Sequence, residues 1–187
     1  MTGAMEFEAF DDKTAAFYNF LVSLKVFDWA YAAVAKKLAA TTGPGSYVLE
    51  IGPGTGPLLK RLESMGYAVV GVDASPPMLK YAQRRVPGAS VAGVSFALPT
   101  RGGAFDAAVA LFTLHHWGLH EPSVAEVWRV LKPRGYFVVA EVDLARMPLV
   151  GSHGCTEMCL KEVLSPRFQV QVERKFPLLI AVAKRRD

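Results

Sequence analysis

Val48-Leu49-Glu50-Ile51-Gly52-Pro53-Gly54-Thr55-Gly56 is the stretch that decides how this chain folds. With Tyr47 ahead of it, the first half is an apolar run of the length of one buried strand, and it stops at glycines on alternate positions. Pro57 to Met65 then places Leu58, Leu59 and Leu62 on one side of a helix. A strand that runs through a glycine turn into a helix opens a βαβ unit. The turn lies where ligands approach the carboxyl edge of a doubly wound sheet. Glycines serve there because a Cβ would obstruct tight turning and the close passage of a ligand.

Working outward, short apolar runs keep alternating with helical patterns. Ala68 to Val72 is a strand ending in Asp73, and Pro76 to Arg85 a helix with proline at its start. Ser90 to Gly93 is a weak strand, Phe105 to Leu111 a strong one, and Pro122 to Leu131 a helix stopped by Lys132-Pro133-Arg134-Gly135. Tyr136 to Val142 is a further strand. Upstream, Lys13 to Ala40 has helical spacing with a break near Val26-Phe27-Asp28, where Asp28 would N-cap the second helix. Residues 41–46 form a glycine- and proline-bearing linker. Downstream, Phe168 to Arg174 alternates and Pro177 to Ala183 is apolar, the pattern of an antiparallel pair at one edge of the sheet. These elements predict an α/β, doubly wound, mostly parallel seven-stranded sheet with an antiparallel C-terminal strand and N-terminal helices. The 187 residues suit one domain, with a helical cap at 1–40, a ligand-binding core at 46–142, and a short lid and terminal strand pair at 143–187.

Composition narrows the class. A chain 51% apolar and 20% charged is globular rather than disordered. No apolar run is long enough to cross a bilayer, since Lys36, Lys37, Lys60 and Lys80 break the candidates, so no membrane span is expected, and the acid-bearing start shows no secretory signal. A cytoplasmic protein is the expectation. The net charge of +4 owes part of its excess to the tail Lys184-Arg185-Arg186, and no basic stripe interleaved with aromatics points to nucleic acid. Cys155 and Cys159 stand four apart in a stretch that reads as helix. His153 is nearby, but no third and fourth zinc ligands stand at recognisable spacing, so no metal is expected and the cysteines read as small apolar residues.

Asp73 ends the second strand, where doubly wound folds offer a carboxylate to the hydroxyls of an adenosine ribose; the bland alternative is a turn aspartate beside Ser75-Pro76. A pyrophosphate binder favours Gly-x-Gly-x-x-Gly, whose third glycine would fall at Pro57. Glycine at every second position instead favours a ligand with an uncharged linker.

The quoted stretch resembles the first motif of class I methyltransferases dependent on S-adenosylmethionine (SAM), in particular those of the ubiquinone/menaquinone-biosynthesis type. Gly71-Val72-Asp73-Ala74-Ser75-Pro76-Pro77-Met78-Leu79 resembles their second motif. Phe105 to Val109 with Leu114-His115-His116-Trp117 resembles the fourth-strand motif, and Arg129 to Gly135 the turn before the fifth strand. Phe10-Asp11 and Tyr18 echo the start of such proteins, so the likeness runs in order over about residues 10–142. It implies a Rossmann-like fold, SAM as cofactor with S-adenosylhomocysteine as product, and a small-molecule acceptor of apolar character. It also implies that Gly52, Gly54 and Gly56 border the methionine portion of SAM, with Glu50 orienting the turn. Asp73 would take the ribose hydroxyls, Ala74 and Met78 would lie against adenine, Phe112 would stand near the sulfonium, and Tyr18 would close the pocket.

Two positions depart from the family pattern. Relatives carry an adenine-reading aspartate four residues before their Leu-Pro. Counting back from Leu98-Pro99 gives Val94 here, leaving neighbouring Ser95 and Phe96, or backbone groups, to meet the base. Loss of one such hydrogen bond costs about 1 kcal/mol. Arg134 stands where the family has glycine. His115 and His116 are candidate general bases, or else helix-entry residues packed against Trp117. His153 and Glu141 are weaker candidates. Only about Leu144 to Pro166 is available as a lid, so the cover is expected to be small or borrowed from the N-terminal helices, which suits a bulky, open-bound or lipid-like acceptor or a site shared in a dimer; a monomer or homodimer is expected. Two further readings stay open: a nicotinamide-dependent oxidoreductase, and a SAM-binding sensor or partner protein without turnover.

Overall fold

A computed structural model of the chain describes residues 10–147 and 153–187. Two helices, α1 (Asp12–Ser23) and α2 (Asp28–Ala39), precede β1 (Tyr47–Ile51), α3 (Pro57–Ser64), β2 (Ala68–Asp73), α4 (Pro76–Arg85), β3 (Ser90–Ala92) and β4 (Phe105–Leu111). A single 3-10 turn at Leu114–His116 leads to α5 (His120–Val130), β5 (Leu131–Val142), α6 (Glu157–Leu164), β6 (Phe168–Lys175) and β7 (Leu178–Arg185). The sheet has the order β3-β2-β1-β4-β5-β7-β6, with β7 antiparallel to both neighbours and the pairs from β3 to β5 parallel. This is the seven-stranded, doubly wound sheet expected.

Alternation along the strands divides the core in two. Leu49 and Ile51 of β1, with Ala108 and Ala110 of β4, face the layer that contains Val124 and Val127 of α5 and Leu160 and Leu164 of α6. Val48, Ala107 and Val109 face the opposite layer, packed on Val34 and Leu38 of α2 and Leu58 and Leu62 of α3. A strand buried on both faces must be apolar throughout, which is why β4 reads as an unbroken run. The chain winds outward from β1 to β3 and then crosses to β4, so the switch of direction falls between β1 and β4. Crevices of open α/β sheets form at that point, at the carboxyl ends of the strands.

Several boundaries differ from expectation for local reasons. Asp28 is not the cap of α2: Phe27 holds that place without a side-chain hydrogen bond, and Asp28, in the first turn, pairs with Arg61 at 2.6 Å. An acid in the first turn suits the helix dipole without capping it. Strand β5 begins at Leu131 opposite Phe105, then slips so that Tyr136 faces Ala107, and the intervening residues turn out of the ladder with Arg134 at φ +64°. Cys155 lies outside α6, which is capped by the Thr156 hydroxyl. It instead bridges Asp143, and its thiol meets that of Cys159. The expected lid therefore contains a helix that packs against α5 and β6. Residues 1–9 of the expected cap and 148–152 of the lid lie outside the described residues.

Candidate active site

The three glycines after β1 all take left-handed backbone angles, yet each answers to a different neighbour. A Cβ on Gly52, at φ +72°, would stand 2.5 Å from Thr113 Cγ2, and the Thr113 hydroxyl donates to the Ile51 carbonyl at 3.1 Å. Gly54 passes under the ring of Tyr18, and its amide donates to Asp73 Oδ2 at 2.9 Å. Gly56 is the N-cap residue of α3, and its missing Cβ lets α3 approach Ala82 of α4. It stands away from the cavity wall.

Asp73 is fixed from two sides, because the Ser75 amide donates to Oδ1 at 2.8 Å. Burial raises its carboxyl above the ordinary range while these two amides pull it down. Glu50 sits behind the loop, within the sheet. It is 3% exposed, its Oε2 has no partner among the described residues, and burial together with the Asp73 charge pushes it up to about 8. Neither Glu50 nor Gly56 reaches the cavity.

A cavity of about 460 Å³ runs along the carboxyl edge of the sheet. Val94, Ser95 and Phe96 form the wall after β3, and Asp73, Ala74 and Met78 the wall after β2. Gly52 and Gly54 follow β1, Phe112 and Thr113 follow β4, and Val142 ends β5. The roof is Phe10 with Thr14 and Tyr18 of α1, joined by Phe27. Tyr18 is locked by its stacking on Phe27 (ring centroids 5.7 Å apart) and by a 3.3 Å hydrogen bond between its hydroxyl and that of Tyr31. Phe27 in turn meets Phe112 edge-on. Phe112 itself holds a left-handed backbone at φ +56°, a strained conformation of the kind that collects at sites. The Ser95 hydroxyl is paired with Ser123 of α5 at 2.8 Å. No lysine or arginine lies on the described wall.

The far end carries histidines. Glu141, fully buried on β5, accepts the Leu114 amide on one oxygen (2.7 Å) and meets His115 Nδ1 with the other (2.8 Å). A carboxylate there fixes the tautomer and turns Nε2 outward. His116 packs against His115 and, edge-on, against Phe10. His153 joins them from the segment after β5, with ring centroids 5.6 Å from His115 and 6.0 Å from His116. Among the described residues, His153 thus packs against these two histidines.

Of the site residues named from the sequence, Tyr18, Gly52, Gly54, Asp73, Ala74, Met78, Ser95, Phe96, Phe112, His115 and His116 line one cavity. Sequence reasoning gave no site role to Phe27 and Thr113, an apolar and a turn residue with no local signature, and quoted Trp117 only within a motif. The alternate glycine spacing could have prompted a search for the side chain that fills the space beside Gly52.

A family profile described as a methyltransferase domain matches residues 49–139. That span, just under half of the chain, is similar in sequence to methyltransferase domains. The chain is 39% identical over 99 residues to a demethylmenaquinone methyltransferase of Renibacterium salmoninarum, covering 52% of this chain and 42% of the relative. A demethylmenaquinone methyltransferase of Thermus thermophilus is 36% identical over 101 residues, covering 50% and 46%. The chain spans under half the length of these relatives. Among solved structures, a SAM-dependent methyltransferase from Aquifex aeolicus superposes with a TM-score of 0.79 at 20% identity, over 95% of this chain and all of that one, and shares its fold. No described helix is long and apolar enough to cross a membrane.

Proposed function

We propose that this methyltransferase domain holds SAM between the ends of β3 and β4 and methylates a small, apolar acceptor that enters at the histidine end. The observation that carries the cofactor side is the charge of the wall: a fixed carboxylate, Asp73, and no cation. A dinucleotide would bring a pyrophosphate with nothing to neutralise it, whereas SAM has no phosphate and carries positive charge.

Asp73 would take the ribose hydroxyls, with Ala74, Met78 and Phe96 against the adenine face. Val94 offers the base no acceptor and the Ser95 hydroxyl is engaged by Ser123, so adenine recognition falls to backbone groups and packing. When bound, SAM supplies a methyl group already activated by sulfonium charge, which a nucleophile takes as the carbon–sulfur bond breaks and S-adenosylhomocysteine remains. The residues' contribution is alignment and desolvation. Phe10, Phe27 and Phe112 exclude water between the two ends. His115, oriented by Glu141, accepts the acceptor's proton at Nε2, with His116 beside it. The relatives named for demethylmenaquinone support a ring-bearing acceptor, as does the aromatic lining.

Calorimetric titration with SAM, S-adenosylhomocysteine and NADH tests the cofactor. Binding of the first two at micromolar level, lost in Asp73→Ala, is expected. Tight NADH binding would overturn the reading. A second reading, a SAM-binding partner without turnover, draws on Val94. Methyl transfer from labelled SAM to a soluble hydroquinone excludes it.

A further inference from the structure

We propose that His115, His116 and His153 form a site for one divalent transition-metal ion at the acceptor end of the cavity. Each offers one imidazole nitrogen, and the three atoms lie within 4.8 Å of one another. Zinc-type ions bind imidazole at about 2.0–2.1 Å, which needs ligand nitrogens about 3.3 Å apart, so closure asks for about 1.5 Å of ring movement. His153 is exposed and has room to make it.

The arrangement is built rather than incidental. His115 and His116 stand on a one-turn helix fixed by the His116 amide on the Thr113 carbonyl and the Trp117 amide on Leu114, both at 3.0 Å. His153 arrives on a segment that returns hard against β5. The Cys155 amide donates to the Val142 carbonyl at 3.1 Å, and the Leu144 amide to the Cys155 carbonyl at 3.2 Å. Gly154 is buried there, and a Cβ on it would stand 2.5 Å from the Val142 carbonyl oxygen, so only glycine allows the close return. Two elements distant in sequence thereby deliver imidazoles to one point.

The surroundings suit an ion. The buried Glu141 carboxylate meets His115 Nδ1 at 2.8 Å, the supporting contact that metal-binding histidines ordinarily have. Among the described residues, the cavity wall carries no lysine or arginine to repel a cation. An all-imidazole set suits zinc, iron, cobalt or nickel rather than magnesium or calcium, and three protein ligands leave a coordination position open. A hydroxyl oxygen of the acceptor in that position would lose its proton to water more readily, with His115 then serving as ligand instead of base. That role rests on the methyl-transfer reading; the binding of the ion does not.

The test uses chelator-treated protein titrated with Co²⁺, read by its visible d–d absorption, and with Zn²⁺ by calorimetry. One Co²⁺ per chain with no thiolate charge-transfer band is expected. His153→Ala should weaken it by at least about tenfold and Glu141→Gln by about tenfold. The double variant Cys155→Ser/Cys159→Ser should bind as the parent does. Unchanged urea midpoints in the variants show that the fold is kept. Absence of stoichiometric Co²⁺ binding, or binding lost in the cysteine variant but kept in His153→Ala, would overturn the proposal. Failure of S-adenosylhomocysteine to bind the parent would remove the methyl-transfer reading while leaving the metal site to be judged on Co²⁺ alone.

Discussion

Replacing Glu50 by Gln should make the protein more stable in alkaline solution and leave it little changed in acid. Glu50 is paired within the sheet, opposite Gly71 of β2 and Val109 of β4, so its carboxyl cannot swing to water. Burial, then the Asp73 charge, raises it from 4.5 to about 8, with the Leu59 amide as the opposing influence. The folded chain therefore keeps a proton that the unfolded chain has already released. That stabilisation is complete below the unfolded value of 4.5 and is lost as pH rises through about 8. Complete expression of the shift corresponds to about 5 kcal/mol, a ceiling that relaxation around the side chain reduces. Glutamine keeps the shape and drops the titration. Urea unfolding of both proteins at about pH 5 and about pH 9 isolates this group, because the raised carboxyl of Asp73 is present in each. The variant should gain about 2 kcal/mol or more over the parent across that interval. Parallel pH profiles would show that Glu50 titrates normally and that the account of its burial is wrong.

The same geometry makes two sharper local predictions. Gly52→Ala forces a Cβ onto Thr113 at a left-handed φ and should cost about 1–3 kcal/mol together with S-adenosylhomocysteine binding, read by urea midpoint and calorimetry. Gly43→Ala, whose Cβ meets nothing within 4 Å, should change neither, and an equal loss at both positions would refute the steric argument. Arg134→Gly relieves a left-handed arginine at the cost of unfolded-chain entropy, for a net gain of about 0.5 kcal/mol, and a lowered midpoint would refute that assignment.

Local pattern explains how much of the fold is legible in the sequence. Helix α4 begins at Pro76 and β4 spans Phe105–Leu111, both as expected, since proline at a first turn and an unbroken apolar run are signals carried by adjacent residues. The N-cap of α2 is not legible, because an aspartate before an apolar stretch looks alike at the cap and one residue inside it; the pairing with Arg61 that holds Asp28 is 33 residues away. The start of β5 is hidden because Lys132-Pro133-Arg134-Gly135 has turn chemistry, and the slip in pairing that lets a strand begin before it exists only opposite Phe105. Along the site, residues on the shared motifs are legible. Phe27 and Thr113 are not, because each acts by touching something on another element.

Gly56 carries the point over to the motif itself. Sequence spacing treats Gly52, Gly54 and Gly56 as one ligand-binding unit, yet the nearest obstacles to a Cβ are Thr113, Tyr18 and Ala82 respectively. The first belongs to the loop after β4, the second to the cap helix and the third to α4. The alternate spacing thus records three packing demands that coincide on one turn, of which only the first two border the cavity. A glycine loop of this spacing therefore signals a site only when the elements that crowd it are also present. Here they are supplied by segments as far apart as Tyr18 and Thr113, both of which line the cavity themselves. The joint presence of loop, cap helix and post-β4 turn, rather than the glycines alone, is what builds the cavity in this fold.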